Sequence, residues 1–146
     1  NMRLSGKKVI LLDGDELRQV LSENAYTREE RITLGMRYSR LCRLLSTQGI
    51  DVVIAVIGLG YVGLPLATAL SAHYPVTGYD NNPTRIAQLL EGIDITHEVT
   101  HEHLIAAQHN NQLLFSSDAS SIANATVFIV NPVNDSTIKV TGTLLK

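Results

Sequence analysis

The sequence contains little cysteine, little net charge and no long apolar run, and each scarcity excludes a class of protein. Cys42 is the single cysteine among 146 residues, so no internal disulfide is possible, and no group of Cys and His has zinc-ligand spacing. A net charge of −2 leaves no basic surface for nucleic acid. No apolar run approaches the roughly 20 residues that cross a bilayer, and the N-terminus lacks a signal-peptide pattern. We expect a cytoplasmic protein that binds neither nucleic acid nor a membrane.

Strand-like and helix-like segments alternate along the chain, whose length and 45% apolar content suit one folded domain over residues 1–146. This alternation predicts a Rossmann-like three-layer α/β sandwich, with a mostly parallel sheet of about five strands and helices on both faces. Strands are expected at 8–12, 51–57, 75–79, 113–116 and 126–130. Helices are expected at 16–22, 62–72, 83–91, 101–108 and near 120–124. We predict that residues 132–146 form a tail.

A longer helix is predicted to begin after Thr27, because Glu30 three residues later has the spacing of a capping box. Gln48 and Gly49 supply the stop signal. Cys42 lies within this helix and is interpreted as a buried apolar residue, not a nucleophile. The pattern predicts one buried apolar stripe formed by Ile32, Leu34, Met36, Leu41, Leu44 and Leu45, with Arg37, Arg40 and Arg43 on the exposed side.

A glycine motif, G-x-G-x-x-G, joins the predicted strand at 51–57 to the following helix. Gly58 permits a tight turn, Gly60 lets the backbone approach a pyrophosphate, and Gly63 lets helix and strand pack closely. The start of the helix directs free N–H groups toward phosphates. We therefore predict that Gly58, Gly60, Tyr61, Val62 and Gly63 bind a dinucleotide.

Asp80 ends the next predicted strand, 22 residues after Gly58, where a carboxylate accepts hydrogen bonds from the adenosine ribose. Such a carboxylate favours NAD over NADP because it would repel a 2′-phosphate. The alternative is that the glycines serve only turns and that Asp80 caps the helix that follows Asn81, Asn82 and Pro83. The combination of strand, loop, helix, strand and acid in register favours the nucleotide site.

Residues 54–131 resemble the NAD-binding part of nucleotide-sugar dehydrogenases, the UDP-glucose and GDP-mannose dehydrogenase family. The resemblance rests on GLGYVGLPLA and continues through ITHEV, LLFSSD and ANATVFIV. It implies NAD-dependent oxidation of a sugar C6 alcohol to a carboxylate. It also implies that Arg85, in the pattern D-x-N-x-x-R-I, helps to hold the adenosine ribose. The alternative is a solvated helix arginine.

The family's catalytic cysteine, its lysine and its nucleotide-sugar domain match no residue of this sequence, so we predict no catalytic residue. The family's V-P-T-P element is altered here to Val130-Asn131-Pro132-Val133. We expect an NAD-binding module without turnover. The alternatives are a part of a working dehydrogenase and a recombined structural domain with no retained activity.

Residues 3–55 resemble a different family. KKVILLDGDELRQVL and YTREERITLGMRYSRLCRLLSTQGIDVVIA resemble the middle of an adenylylsulfate kinase, in which Asp13, Asp15, Arg18 and Arg31 would match substrate-site residues. The kinase's phosphate loop is absent, so kinase activity is not expected. The chain is interpreted as a chimera of a kinase-like β-α segment (1–55) and a dinucleotide-binding segment (52–131). The N-terminal strand is expected either at the sheet edge or in place of TVFIV.

Two other groups of residues bear on metal binding. The spacing of His97, His101, His103 and His109 does not place three of them on one helix face, so no metal site is predicted. Asp13 and Asp15 would coordinate Mg²⁺ only if the first strand ended beside the glycine loop. An exposed apolar surface on a dehydrogenase unit would favour a homodimer.

Overall fold

The computed structural model describes residues 9–20, 27–109 and 111–131. Its strands are β1 (Ile10–Asp13), β2 (Ile54–Ile57), β3 (Val76–Tyr79), β4 (Leu113–Ser116) and β5 (Val127–Val130). Its α-helices are α1 (Gly14–Val20), α2 (Arg28–Thr47), α3 (Gly63–Ser71), α4 (Pro83–Leu90) and α5 (His101–His109), and a short 3₁₀-helix spans Ala119–Ile122. The predicted order of strands and helices is confirmed. The tail predicted at 132–146 lies outside the described residues.

All five strands are parallel and form one sheet in the order β1-β5-β2-β3-β4. The N-terminal strand therefore takes the edge, and β5 keeps its place beside β2. The sheet is the Rossmann-like α/β arrangement that the alternation predicted. Among the described helices, none is long and apolar enough to cross a membrane.

The strand predicted at 51–57 is shorter in the structure. Just before its first residue, the Thr126 side chain forms hydrogen bonds with backbone groups. The Thr126 hydroxyl accepts a hydrogen bond from the Val53 amide at 3.0 Å. The same hydroxyl donates to the Asp51 carbonyl. The Val53 carbonyl also accepts from the backbone amides of Thr126 and Val127, and the regular ladder begins at Ile54.

The first helix also differs from its prediction, beginning at Gly14 instead of residue 16. The Asp13 carboxylate accepts hydrogen bonds from the amides of Asp15 and Glu16, at 2.9 and 3.0 Å, and so satisfies the free donors of the first turn. Residues 21–22, where this helix was predicted to end, lie outside the described part of the chain.

Helix α2 has the predicted cap but not the predicted buried stripe. Thr27 and Glu30 form the capping box. The buried positions of α2 are Leu34, Gly35, Tyr38 and Cys42, whereas Ile32, Met36 and Leu44 are more than half exposed. The stripe prediction was wrong because positions two residues apart point about 200° apart on a helix, so Leu34 and Met36 cannot share a face. Cys42 is buried, as predicted.

Each face of the sheet carries its own apolar core. Alternate residues of β2 divide between them, with Ile54 and Val56 in one cluster and Ala55 and Ile57 in the other. The first cluster receives side chains from α2, α3, α4 and α5. The second receives Ile122 of the 3₁₀-helix. Helical segments thus contribute to both faces.

Candidate nucleotide-binding site

The glycine loop, residues 58–63, lies at the carboxyl end of the central strand β2. Helix α3, which follows the loop, packs on the first core. Open α/β sheets bind ligands in the crevice outside the carboxyl ends of their strands. The loop therefore occupies the position where open α/β sheets bind ligands.

A side chain would have a different consequence at each of the three glycines of the loop. Gly58 has φ +89°, a conformation that side chains disfavour. A Cβ on Gly63 would lie 1.7 Å from the Gly58 carbonyl oxygen, so the residue at 63 must lack a side chain. A Cβ on Gly60 would meet no atom within 4 Å. Packing within the fold therefore does not require a glycine at position 60, and the open space beside it is available to a ligand.

Helix α3 begins at Gly63, one residue after its predicted start, and its N-cap Val62 supplies no side-chain hydrogen bond. Tyr61 is 62% exposed. An uncapped helix end presents N–H groups and the positive end of the helix dipole. This end of α3 lies beside the crevice and suits an anionic group.

Asp80 is tied to the glycine loop by its carboxylate. Its Oδ2 accepts from the Leu59 amide at 2.9 Å, and its Oδ1 accepts from the Asn82 amide at 3.0 Å. The N-cap of α4 is instead Asn82, whose side chain accepts from Thr84 and Arg85 amides. The alternative interpretation of Asp80 as the helix cap is therefore wrong.

Arg85 is buried, with 7% of its surface exposed, so the alternative of a solvated helix arginine is also wrong. Its Nε and Nη2 donate to the Leu59 carbonyl oxygen at 3.0 and 2.9 Å, and Nη2 also donates to Asp94 at 2.8 Å. Its Nη1 is buried without a hydrogen-bond partner among the described residues. Arg85 thus holds the loop and keeps one donor unused.

Asp94 balances the charge of Arg85 from inside a tight shell of donors. Its carboxylate accepts from the Thr96 amide and hydroxyl and from the amides of Glu98 and Val99. Burial alone would raise the pKa of Asp94, but the hydrogen bonds from Thr96, Arg85 and Val99 outweigh burial and lower the pKa to about 2. Asp94 is therefore ionised at neutral pH and fixes the Arg85 guanidinium.

A cleft of about 340 Å³ opens beside these residues. Polar side chains of the segment after β3 line one side, and Ile95, 58% exposed, offers an apolar contact. The cleft is lined by Gly58, Leu59, Gly60, Asp80, Asn81, Asn82, Thr84, Arg85, Gln88 and Ile95. The structure brings the predicted residues Gly58, Gly60, Asp80 and Arg85 to this cleft.

Asn131 is a feature that sequence reasoning did not assign to the site. Its amide N donates to the Ile57 carbonyl at 2.9 Å, which places it at the carboxyl end of β5 beside the glycine loop. Its side chain is buried, and neither polar atom has a hydrogen-bond partner within the described segments. Cβ atoms on Gly63 and Gly14 would lie 3.3 Å from its Nδ2 and 2.9 Å from its Oδ1. The altered V-P-T-P element was the signal that could have found it.

The other candidate sites are not assembled. Among the described residues, no three His, Cys, Asp or Glu are grouped to hold a metal. Strand β1 is separated from β2 by β5, so the condition for the Mg²⁺ hypothesis at Asp13 and Asp15 is not met. Asp15 pairs with Arg18, and Arg31 pairs with Glu98. The four kinase-like residues all have partners inside this fold.

Comparison with known proteins gives two kinds of relative. The chain is 42% identical over 90 residues to UDP-N-acetyl-D-glucosamine 6-dehydrogenase of Salmonella typhi, which covers 59% of this chain and 20% of the relative. It is 36% identical over 58 residues to cytidine diphosphoramidate kinase of Campylobacter jejuni, which covers 40% of this chain and 34% of the kinase. The chain thus spans about a fifth of the dehydrogenase and a third of the kinase.

A solved structure agrees with the dehydrogenase relationship. The UDP-D-ManNAc dehydrogenase from Pyrococcus horikoshii superimposes with a TM-score of 0.50 at 29% identity, over 53% of this chain and 19% of that one. Residues 52–138 match the profile of the UDP-glucose/GDP-mannose dehydrogenase family, NAD-binding domain. This match covers more than half of the sequence and includes the glycine loop, Asp80 and Arg85. The chain therefore belongs to the UDP-glucose/GDP-mannose dehydrogenase family and carries its NAD-binding domain.

Proposed function

We propose that the chain binds NAD in the cleft beside the glycine loop and that these 146 residues alone do not oxidise a nucleotide sugar. The observation that carries this proposal is the convergence of Asp80 and Arg85 on Leu59. Asp80 accepts from the Leu59 amide and Arg85 donates to its carbonyl. Both backbone polar groups of Leu59 are thus hydrogen-bonded before any ligand binds. A loop that is already ordered lowers the entropic cost of binding.

Each part of the cleft has a role in this proposal. The pyrophosphate lies over Gly60, where no atom obstructs it, and meets the uncapped start of α3. The adenosine ribose lies near Asp80, whose carboxylate disfavours a 2′-phosphate. Arg85, which lines the cleft, adds a positive charge next to the ligand. Bound NAD supplies the hydride acceptor for the oxidation of an alcohol.

Calorimetric titration with NAD⁺, NADH and NADP⁺ tests the proposal. We expect binding of NAD⁺ and NADH and at least tenfold weaker binding of NADP⁺, since a 2′-phosphate near a carboxylate adds roughly 1.4 kcal/mol or more of repulsion. Asp80→Ala should lose this preference. Asp51→Ala is the matched control, because Asp51 is exposed and precedes β2 at the opposite end of that strand. Absence of binding by the wild-type chain at millimolar dinucleotide would overturn the proposal.

A second candidate is a recombined domain in which the nucleotide site is incidental. The kinase relative and the addition of β1 at the sheet edge beside β5 favour a chimeric origin. Recombination along the burial pattern of a parallel strand conflicts little with packing. Failure to bind any dinucleotide by a chain that unfolds cooperatively would favour this candidate over the first.

The remaining expectations concern the setting of the module. If the chain is part of a working dehydrogenase, addition of the complementary catalytic part should produce oxidation of a nucleotide sugar, followed as NADH absorbance. A homodimer in the cytoplasm remains part of the proposal. The half-exposed Ile32, Met36 and Leu44 on α2 support self-association. Sedimentation analysis across a concentration series distinguishes monomer from dimer.

A further inference from the structure

An ion pair joins helix α2 to the loop that follows α4. Arg31 donates from Nε to Glu98 Oε2 at 3.1 Å and from Nη2 to Glu98 Oε1 at 2.5 Å. Both side chains are largely buried, with 11% and 9% exposed. Arg31 lies outside residues 52–138, the part of the chain that matches the dehydrogenase family. The pair therefore links the N-terminal segment to the family's domain.

The contact continues to the glycine loop without a gap. The Glu98 amide donates to Asp94 Oδ2 at 2.9 Å, and Asp94 Oδ1 accepts from Arg85 Nη2 at 2.8 Å. Arg85 in turn donates to the Leu59 carbonyl. We name Arg31, Glu98, Asp94 and Arg85 the ion-pair network. Through Arg85, this network connects α2 to Leu59, whose amide donates to Asp80.

Burial makes the ion-pair network sensitive to the loss of one member. Removing the guanidinium of Arg31 would leave the Glu98 carboxylate as an unpaired and nearly buried charge, which is costly. The carboxylate must then move toward water. The backbone amide of Glu98 is one of the donors that hold Asp94, so this movement disturbs the anchor of Arg85. The glycine loop loses part of its support even though Arg31 is not among the residues that line its cleft.

We propose that Arg31 is a positioning residue for the glycine loop, acting through Glu98, Asp94 and Arg85, so that the N-terminal segment is a working part of the nucleotide site. Its effect on ligand affinity rests on the proposed function, whereas its effect on the loop does not. The N-terminal segment is then more than an addition at the sheet edge, and a fragment beginning at residue 52 should hold the loop less firmly.

Hydrogen–deuterium exchange of the ligand-free chain tests the positioning directly. In Arg31→Gln and in Glu98→Gln, we expect the Leu59 amide to exchange several-fold faster than in the wild type. Arg40→Gln removes an exposed charge from the same helix and should leave the loop unchanged. Leu34→Ala removes a buried α2 side chain and lowers stability without changing a residue of the ion-pair network. Faster exchange in Leu34→Ala equal to that in Arg31→Gln would overturn the proposal.

Titration with AMP, which contains the adenosine half of NAD, tests the consequence for binding under conditions where every variant is folded. We expect Arg31→Gln to raise Kd by about three- to thirtyfold. The double variant Arg31→Gln/Glu98→Gln should recover part of this loss, because no buried charge remains unpaired. Wild-type affinity in Arg31→Gln would overturn the proposal. If the wild type binds neither AMP nor NAD, the proposed function fails, and the exchange result still decides the role of Arg31.

Discussion

Gly63 lies so close to Gly58 that a single added carbon would overlap the backbone. A Cβ at position 63 would stand 1.7 Å from the Gly58 carbonyl oxygen and 2.9 Å from its carbonyl carbon. These are backbone atoms at the end of β2, so they cannot move aside as a flexible side chain would. The first turn of α3 and the end of β2 are thus in contact, and the angle of the helix relative to the sheet depends on this glycine.

Gly63→Ala should therefore destabilise the fold by about 3 kcal/mol, the upper range for overpacking in a rigid environment. Urea denaturation measures the change. Gly60→Ala is the matched control in the same loop, because its Cβ meets open space and its φ is not among the positive values. Equal stability of the two variants would show that the contact between Gly58 and Gly63 relaxes freely.

Gly60→Val separates ligand binding from folding. The added side chain enters the space in which the pyrophosphate is proposed to lie, and no protein atom stands within 4 Å of its Cβ. We expect a change in unfolding free energy below about 1 kcal/mol together with at least a tenfold loss of NAD affinity by calorimetry. Unchanged affinity would place the pyrophosphate elsewhere.

The stability of the chain should depend on pH through Asp94. The pKa of this carboxyl is lowered from 3.8 to about 2 in the folded state, so the ionised form stabilises the fold above pH 4. As pH falls from about 4 toward 2, this contribution of roughly 2 kcal/mol is lost. Urea unfolding of the wild type and of Asp94→Asn across this range measures it. The difference between the two proteins should shrink as pH falls, and a constant difference would contradict the assignment.

Tyr38 provides a test of a buried hydroxyl. The residue is 1% exposed, and its hydroxyl has no hydrogen-bond partner among the residues that the structure describes. Burial raises its pKa to about 12; the positive charge of Arg18 lowers the pKa by a smaller amount, and the negative charges of Asp13 and Asp15 raise it slightly further. Tyr38→Phe should therefore leave the unfolding free energy unchanged or raise it by up to about 1 kcal/mol. A loss larger than 1 kcal/mol in thermal unfolding would reveal a partner for the hydroxyl.

Local sequence patterns were sufficient for much of the fold. The capping box of Thr27 and Glu30, the order of strands and helices, and the position of the glycine motif between β2 and α3 all follow from signals within a few residues. These signals act through backbone geometry and nearest neighbours, so they survive without knowledge of the rest of the chain. The choice of NAD depends on the same kind of signal, since Gly58 and Asp80 lie on consecutive β-α units.

The buried face of α2 could not be read in the same way. Apolar residues occur all around this helix, and contact with α3 selects Leu34, Tyr38 and Cys42 over Ile32 and Met36. The sequence also left the position of β1 in the sheet undetermined, because the residues of one strand do not specify which neighbouring strand it pairs with. Pairing at the edge, beside β5, leaves the contact between β5 and β2 intact.

The sequence by itself determined the Rossmann-like alternation, the glycine loop and the acid that follows it, because each is encoded by residues close together in the chain. Only the tertiary structure decided the state of Arg85 and the part played by Arg31. Arg85 is buried because Leu59 and Asp94, 26 and 9 residues away, supply its acceptors. Arg31 and Glu98 are 67 residues apart and meet only when α2 packs in place. Buried charges require partners, and folding of the whole chain determines which partners are within reach.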